Sequence, residues 1–218
     1  MIGLCAVCSA GGSAFFTAFD MAREAGLVDP GSTLVLTDRP CDAEARAVER
    51  DIAHRRIDWT TRDAFSTQAA EEFRRHDITF GLLYFLRLIG PELYEGFEIQ
   101  NIHPSLLPAF PGFGAVRAAR GANARFLGAT LHNVDGSIDA GPIVAQVVSP
   151  LPNDASPETD NKLSYVQKVY LTLVAIERAA GPCVPRVTAS ANPALAAQAL
   201  RAAFAGFLAD NAPGAMQP

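Results

Sequence analysis

Asn101, His103 and Asp139 are the residues of this 218-residue chain whose types and spacing suit a chemical step. In an extended segment residues two apart point to the same side, so Asn101 and His103 can face one pocket together. An amide N–H and an imidazolium N–H are suitable donors to a tetrahedral oxyanion, each contributing about 3 kcal/mol when pre-aimed. Asp139 precedes Gly141-Pro142 in a glycine-containing loop that could bring its carboxylate back towards His103. There it would favour the protonated ring and orient or deprotonate an incoming group. Pro104, Pro108 and Pro111 stiffen the segment that leaves the histidine. Each residue also has a plainer reading. A strand-end Asn is commonly a cap, a loop Asp is commonly solvated, and a His among apolar neighbours is commonly a satisfied core residue. Only the combination brings the chemical reading level with the plain one.

These residues need elements to hold them. Residues 2–8 form a short apolar run, as expected for a central parallel strand covered on both faces. It ends in Ser9-Ala10-Gly11-Gly12-Ser13, and a helix follows from about Ala14 to Ala25, stopped by Gly26. Strand, glycine turn and helix point backbone N–H groups at an anion, so Gly11, Gly12 and Ser13 are either a phosphate-binding turn or simply a tight junction. Further strands are expected at 33–37, 78–83 and 97–102, with 52–57 a strand or a connector. Helices are expected at 42–50, 63–75, 91–94 and 115–120. This alternation predicts a doubly wound α/β sheet, mostly parallel, with helices on both faces and ligands outside the carboxyl ends of the strands, where Asn101 and His103 fall. The rhythm then changes: 128–133 and 143–148 read as two strands that extend the sheet as a hairpin. Ser156-Pro157-Glu158 starts a long helix running to about Ala179 and stopping at Gly181-Pro182. Asn192-Pro193 opens a final alanine-rich helix, a C-terminal helical extension. One domain over 1–210 and a frayed tail over 211–218 are expected.

Composition narrows the class. Hydrophobic residues at 49%, charged residues at 19% and a net charge of −5 describe a globular chain without the basic face of a nucleic-acid or membrane-surface binder. No apolar run reaches the roughly 18 residues of a membrane span. Cys5, Cys8, Cys41 and Cys183, with no secretory signal, fit a reducing cytoplasm and not a metal site. Cys5 and Cys8 form a Cys-x-x-Cys, but inside the strand and not at a helix N-terminus where a redox thiolate is stabilised, so they read as core residues.

The segments NIHPSLLPAFPG and GATLHNVDGSIDAGPIVAQ resemble the signature of the folate-dependent formyltransferases, in particular the glycinamide ribonucleotide transformylase group. The similarity extends more weakly over residues 1–180. It implies a formyltransferase-like fold and an Asn/His/Asp triad made by Asn101, His103 and Asp139. It also implies 10-formyltetrahydrofolate as donor and the primary amine of a small molecule as acceptor, with no metal. Family precedent places the pterin against Leu86, Arg87, Leu88 and Ile89 and against Asp135, Gly136, Ser137 and Ile138. Thr130 and His132 stand at site-proximal positions, with packing or orienting roles equally open.

On the acceptor side the match thins. Ala14 follows Gly12-Ser13 where ribonucleotide-using members have Asn, Phe113-Gly114-Ala115 lacks a common histidine, and Gln167-Lys168 replaces a Glu-His pair. These departures predict N-formylation of some other small amine, with the purine-synthesis enzyme as the alternative and formyl-folate hydrolysis third. Lys168 reads either as a source of charge for a phosphate or as a solvated helix lysine. The partners expected are the amine and a reduced folate, without nucleic acid or membrane, in a monomer or homodimer.

Overall fold

The strand Leu4–Cys8 (β1) is buried along all five residues and sits at the centre of a sheet, as its unbroken apolar run requires. The computed structural model describes residues 2–151, 156–181 and 198–211. Cys183, the Asn192-Pro193 helix start and the expected tail from 212 lie outside the described residues. In chain order the elements are β1, α1 (Ser13–Glu24), β2 (Thr33–Thr37), α2 (Asp42–Val48), β3 (Ala53–Arg56), α3 (Arg62–Arg75), β4 (Phe80–Tyr84), α4 (Pro91–Tyr94), β5 (Glu98–His103), α5 (Ala115–Gly121), β6 (Phe126–Asn133), β7 (Ile143–Pro150), α6 (Pro157–Ala180) and α7 (Gln198–Asn211).

The seven strands lie in the order β3-β2-β1-β4-β5-β6-β7. β3 to β5 are parallel, whereas β6 runs antiparallel to β5 and β7 antiparallel to β6. The doubly wound sheet with a hairpin extension is therefore present, and 53–56 is a strand. Chain order reverses between β1 and β4, so a crevice opens outside the carboxyl ends of these two strands, the usual ligand position in such sheets.

Alternation along β1 distributes side chains to two cores. Leu4, Ala6 and Cys8 join Phe15, Phe16 and Phe19 of α1 with residues of α2, α6 and α7, while Cys5 and Val7 join Phe65, Ala69 and Phe73 of α3 and Leu93 of α4. Cys5 and Cys8 thus point to opposite faces and both are fully buried, which raises both thiols well above the ordinary range by desolvation. The Cys-x-x-Cys is core packing.

The helix signals in the sequence have local causes. Gly26, at φ 72°, ends α1 in the left-handed conformation that glycine adopts without strain. The Ser156 hydroxyl accepts the Thr159 N–H at 3.2 Å and Pro157 follows, capping α6 as its sequence predicts. Phe207 and Phe204 of α7 pack on Tyr165 and Tyr170 of α6, with ring centroids 5.9 and 4.9 Å apart. Among the described residues no helix is long and apolar enough to cross a membrane.

Candidate active site

β5 delivers Asn101 and His103 at its carboxyl end, and the loop between β6 and β7 delivers Asp139. That loop is held at both ends: the Asn133 N–H donates to Pro142 O at 2.9 Å and the Val134 N–H to Ile99 O at 2.8 Å. Within it the Asp135 carboxylate accepts the Ser137 N–H at 2.8 Å and the Ser137 hydroxyl, bonds that hold its carboxyl below the usual range. Asp139 itself sits at φ 50°, a left-handed conformation that costs a non-glycine residue energy and that clusters at functional positions.

The Asp139 carboxylate, only 13% exposed, is the hub of the site. Its Oδ2 lies 3.2 Å from His103 Nδ1 and accepts the Gly112 N–H at 2.8 Å. Its Oδ1 accepts from Asn101 Nδ2 at 3.4 Å and lies 3.6 Å from His132 Nε2. The three residues expected from the sequence therefore meet at one carboxylate. On its other side the buried His103 ring donates from Nε2 to Phe110 O at 2.8 Å.

The structure adds residues that sequence reasoning left open. His132 is directly opposite Asn101 in the antiparallel β5–β6 register. Its Nδ1 donates to Asn133 O at 3.0 Å, which leaves Nε2 to accept from Asn101 Nδ2 at 3.2 Å. A bulge in the β6–β7 pairing falls at Leu131/His132, re-aiming the chain beside the site. His132 therefore orients the Asn101 amide. Replacing it by Ala lowers kcat by about tenfold with little change in KM, an effect of the size expected when a donor is loosened but not removed; steady-state kinetics on the variant check this, and an unchanged kcat would assign His132 to packing alone. Thr130 and Gln146 act one layer further out. The Thr130 hydroxyl donates to Ser105 O at 2.7 Å and accepts the Leu107 N–H at 3.0 Å, and Gln146 Nε2 donates to Leu107 O at 2.9 Å. Together they pin the Pro104–Pro108 segment against the hairpin.

The other predicted positions border the crevice. Leu86 and Leu88 are exposed at 54% and 53%, and Ile138 at 60%, while Ile89 is buried. The Leu86 N–H donates to Ser9 Oγ at 3.0 Å, but among the described residues nothing hydrogen-bonds the backbone of Arg87 or Leu88. The Arg87 guanidinium is drawn away to the end of β2: it lies 5.1 Å from the Trp59 ring centroid and 3.6 Å from the Asp38 carboxylate. Burial acts to raise the Asp38 carboxyl, but hydrogen bonds from Arg39 and Ser9 outweigh it and hold the group below its ordinary value. A cavity of 400 Å³ lies beside Asp139, lined by Leu107, Pro108, Pro111, Ile138, Gly141 and Ile143 among others.

Gly11, Gly12 and Ser13 form the turn into α1. Gly12 is at φ 58°, and a Cβ there would come within 3.0 Å of Cys8 Sγ and 3.3 Å of the Phe16 ring, so only glycine fits. Asp42 and Arg46 of α2 lie close to Gly11. Among the described residues no group of three or more His, Cys, Asp or Glu side chains is placed to hold a metal ion.

The formyl transferase family model matches residues 6–174. The chain belongs to the formyl transferase family. It is 37% identical over 128 residues to the phosphoribosylglycinamide formyltransferase of Bacillus subtilis, a match spanning 54% of this chain and 64% of the relative, slightly under two thirds of its length. The corresponding Mycobacterium tuberculosis protein is 32% identical over 148 residues, 64% of this chain and 67% of that one. Glycinamide ribonucleotide transformylase 1 from Symbiobacterium toebii superposes with a TM-score of 0.76 at 28% identity, covering 83% of this chain and 88% of its own. The seven-stranded sheet of this chain is the sheet of that family.

Proposed function

We propose that this protein transfers a formyl group from 10-formyltetrahydrofolate to the primary amine of glycinamide ribonucleotide, the phosphoribosylglycinamide formyltransferase reaction. The observation that carries the reading is the Asp139 carboxylate placed between Asn101 and His103 at the carboxyl end of β5. The relatives named above favour the ribonucleotide as acceptor. The departures at Ala14, Phe113-Gly114-Ala115 and Gln167-Lys168 favour a second reading, transfer to another small amine.

The residues present fit the folate. The apolar faces of Leu86, Leu88 and Ile138, the unbonded backbone at Arg87 and Leu88, and a cavity of 400 Å³ next to Asp139 are the features a flat heterocycle with a polar edge requires. When bound, the donor supplies a formyl carbonyl on a nitrogen leaving group. The Nε2–H of His103 holds the negative charge that develops on the formyl oxygen as the amine attacks, and the Asn101 amide joins it by turning one N–H from Asp139 Oδ1, its longer bond at 3.4 Å, to that oxygen. That oxygen takes the place at His103 that Phe110 O fills at 2.8 Å, so segment 110–114, which carries the exposed Phe113, moves aside for reaction. Asp139 stabilises the imidazolium and takes the proton lost by the attacking amine, which then passes to the folate nitrogen.

Folate-product absorbance tests this with the donor alone, with glycinamide ribonucleotide, and with a panel of small amines. Efficient turnover with the ribonucleotide supports the proposal. Turnover confined to another amine moves the acceptor to the second reading, and full turnover without any amine makes the protein a hydrolase.

A further inference from the structure

α6 carries a charge in a place where helices carry apolar residues. Lys168 has Ser164, Leu171, Thr172 and Ala175 as its neighbours three, four and seven residues away, and each of these is at most 5% exposed. Lys168 is therefore on the inward face of the helix and is itself partly buried, contrary to the solvated-lysine reading. Two hydroxyl contacts fix where that face lies. The Tyr165 hydroxyl meets Thr17 of α1 at 2.8 Å, one turn below Ser13, and the Thr172 hydroxyl meets Tyr84 at the carboxyl end of β4. The α1 start and the β4 end are the two sides of the crevice at which the strand order reverses.

A buried ammonium is ordinarily paired, because desolvation costs several kcal/mol that only an opposite charge or good hydrogen bonds offset. Lys168 has no ion pair or side-chain hydrogen bond among the described residues, and burial pushes its pKa below the ordinary lysine value. Lys162 and Lys168 are the chain's two lysines. A group of this kind, desolvated beside a crevice and left uncompensated by the protein, is one whose partner arrives with a ligand.

We propose that Lys168 selects a negatively charged acceptor: its ammonium, unpaired in the fold, pairs with an anionic group of the amine substrate. This rests on the formyl-transfer reading. In the purine form of that reading the group is the phosphate monoester of the ribonucleotide; for another amine it is a phosphate or a carboxylate. The lysine thus supplies on α6 a charge that recognises the acceptor.

Two measurements test it, one of them independent of turnover. An amine-reactive reagent applied near pH 8 labels the two lysines, and peptide mass spectrometry reads them separately. Inorganic phosphate is expected to protect Lys168 severalfold and leave Lys162 unchanged. Protection by acetate in place of phosphate supports the lysine's role and shifts the acceptor to an amino acid-like amine. Equal labelling with and without either anion overturns the proposal even if formyl transfer is never detected. In the second measurement kcat/KM is compared between glycinamide ribonucleotide and its dephosphorylated riboside. The preference for the phosphorylated form falls on the order of 10- to 100-fold in Lys168→Met, mostly through KM, and is largely kept in Lys168→Arg. An unaltered preference in a folded Lys168→Met overturns it. Failure of every amine to accept the formyl group defeats the formyl-transfer reading instead, and the protection result then decides the role of Lys168.

Discussion

Replacing Asp139 by Asn lowers formyl transfer on the order of 10³- to 10⁴-fold, the range found when a buried carboxylate beside a catalytic histidine is made neutral without change of shape. Three contacts of this carboxylate explain the size. Oδ2 serves His103 Nδ1 at 3.2 Å and the Gly112 N–H at 2.8 Å, and Oδ1 serves Asn101 Nδ2 at 3.4 Å. A carboxamide keeps one accepting oxygen, so its NH₂ must face either the His103 and Gly112 donors or the Asn101 donor. Whichever way it turns, the His103 ring loses its neighbouring negative charge, and either the ring or the Asn101 amide loses the oxygen that anchors it. The exposed Leu86, Leu88 and Ile138, proposed to face the folate, are untouched, so the dissociation constant of a folate analogue is expected to stay within about threefold of the parent value. Stopped-flow transfer rates with fluorescence titration of the analogue check both halves. Activity within tenfold of the parent protein would remove Asp139 from proton handling.

Gly141→Ala disables the same carboxylate from a distance. A Cβ on Gly141 would stand 2.0 Å from Asn133 O and 3.1 Å from Asn133 C, backbone atoms at the root of the loop. No rotamer change relieves such a contact, so the loop over 135–142 must shift and carry Asp139 with it. Misplacement by about 1 Å costs roughly 100-fold in rate, and the repacking costs about 1–3 kcal/mol of stability. Gly121→Ala, whose Cβ meets nothing within 4 Å, is the control for a glycine without a close neighbour. Thermal melting and kcat measured on both variants separate the cases. A Gly141→Ala protein with parental kcat would show that the loop does not position the reacting group.

The sequence exposed the frame of this site and concealed its connections. The unbroken apolar run of β1, the Gly26 stop and the Ser156-Pro157 start depend on local physics, and each is found where local physics puts it. Asn101 and His103 share a side because strand periodicity is two, which a sequence displays directly. The pairing of Asn101 with His132 depends instead on the β5–β6 register and on a bulge beside it, both properties of two strands together. The capping of His103 by Phe110 O and of Asp139 by the Gly112 N–H uses backbone groups, which carry no residue signature. The surroundings of Lys168 and Arg87 were not legible for another reason. A lysine at the middle of a buried helix face contradicts the pattern by which such faces are recognised. Arg87 is drawn to Asp38 and Trp59, partners that are distant in the chain and meet only at the ends of adjoining elements.

The most direct test of the central claim uses a donor labelled with ¹³C in the formyl group, glycinamide ribonucleotide as acceptor, and the parent and Asp139→Asn proteins side by side. Mass spectrometry then locates the label. The arrangement of Asn101, His103 and Asp139 predicts labelled formyl on the primary amine of the ribonucleotide with the parent protein, and essentially none with Asp139→Asn in the same time. Label released as free formate, or equal labelling of the amine by both proteins, would contradict it.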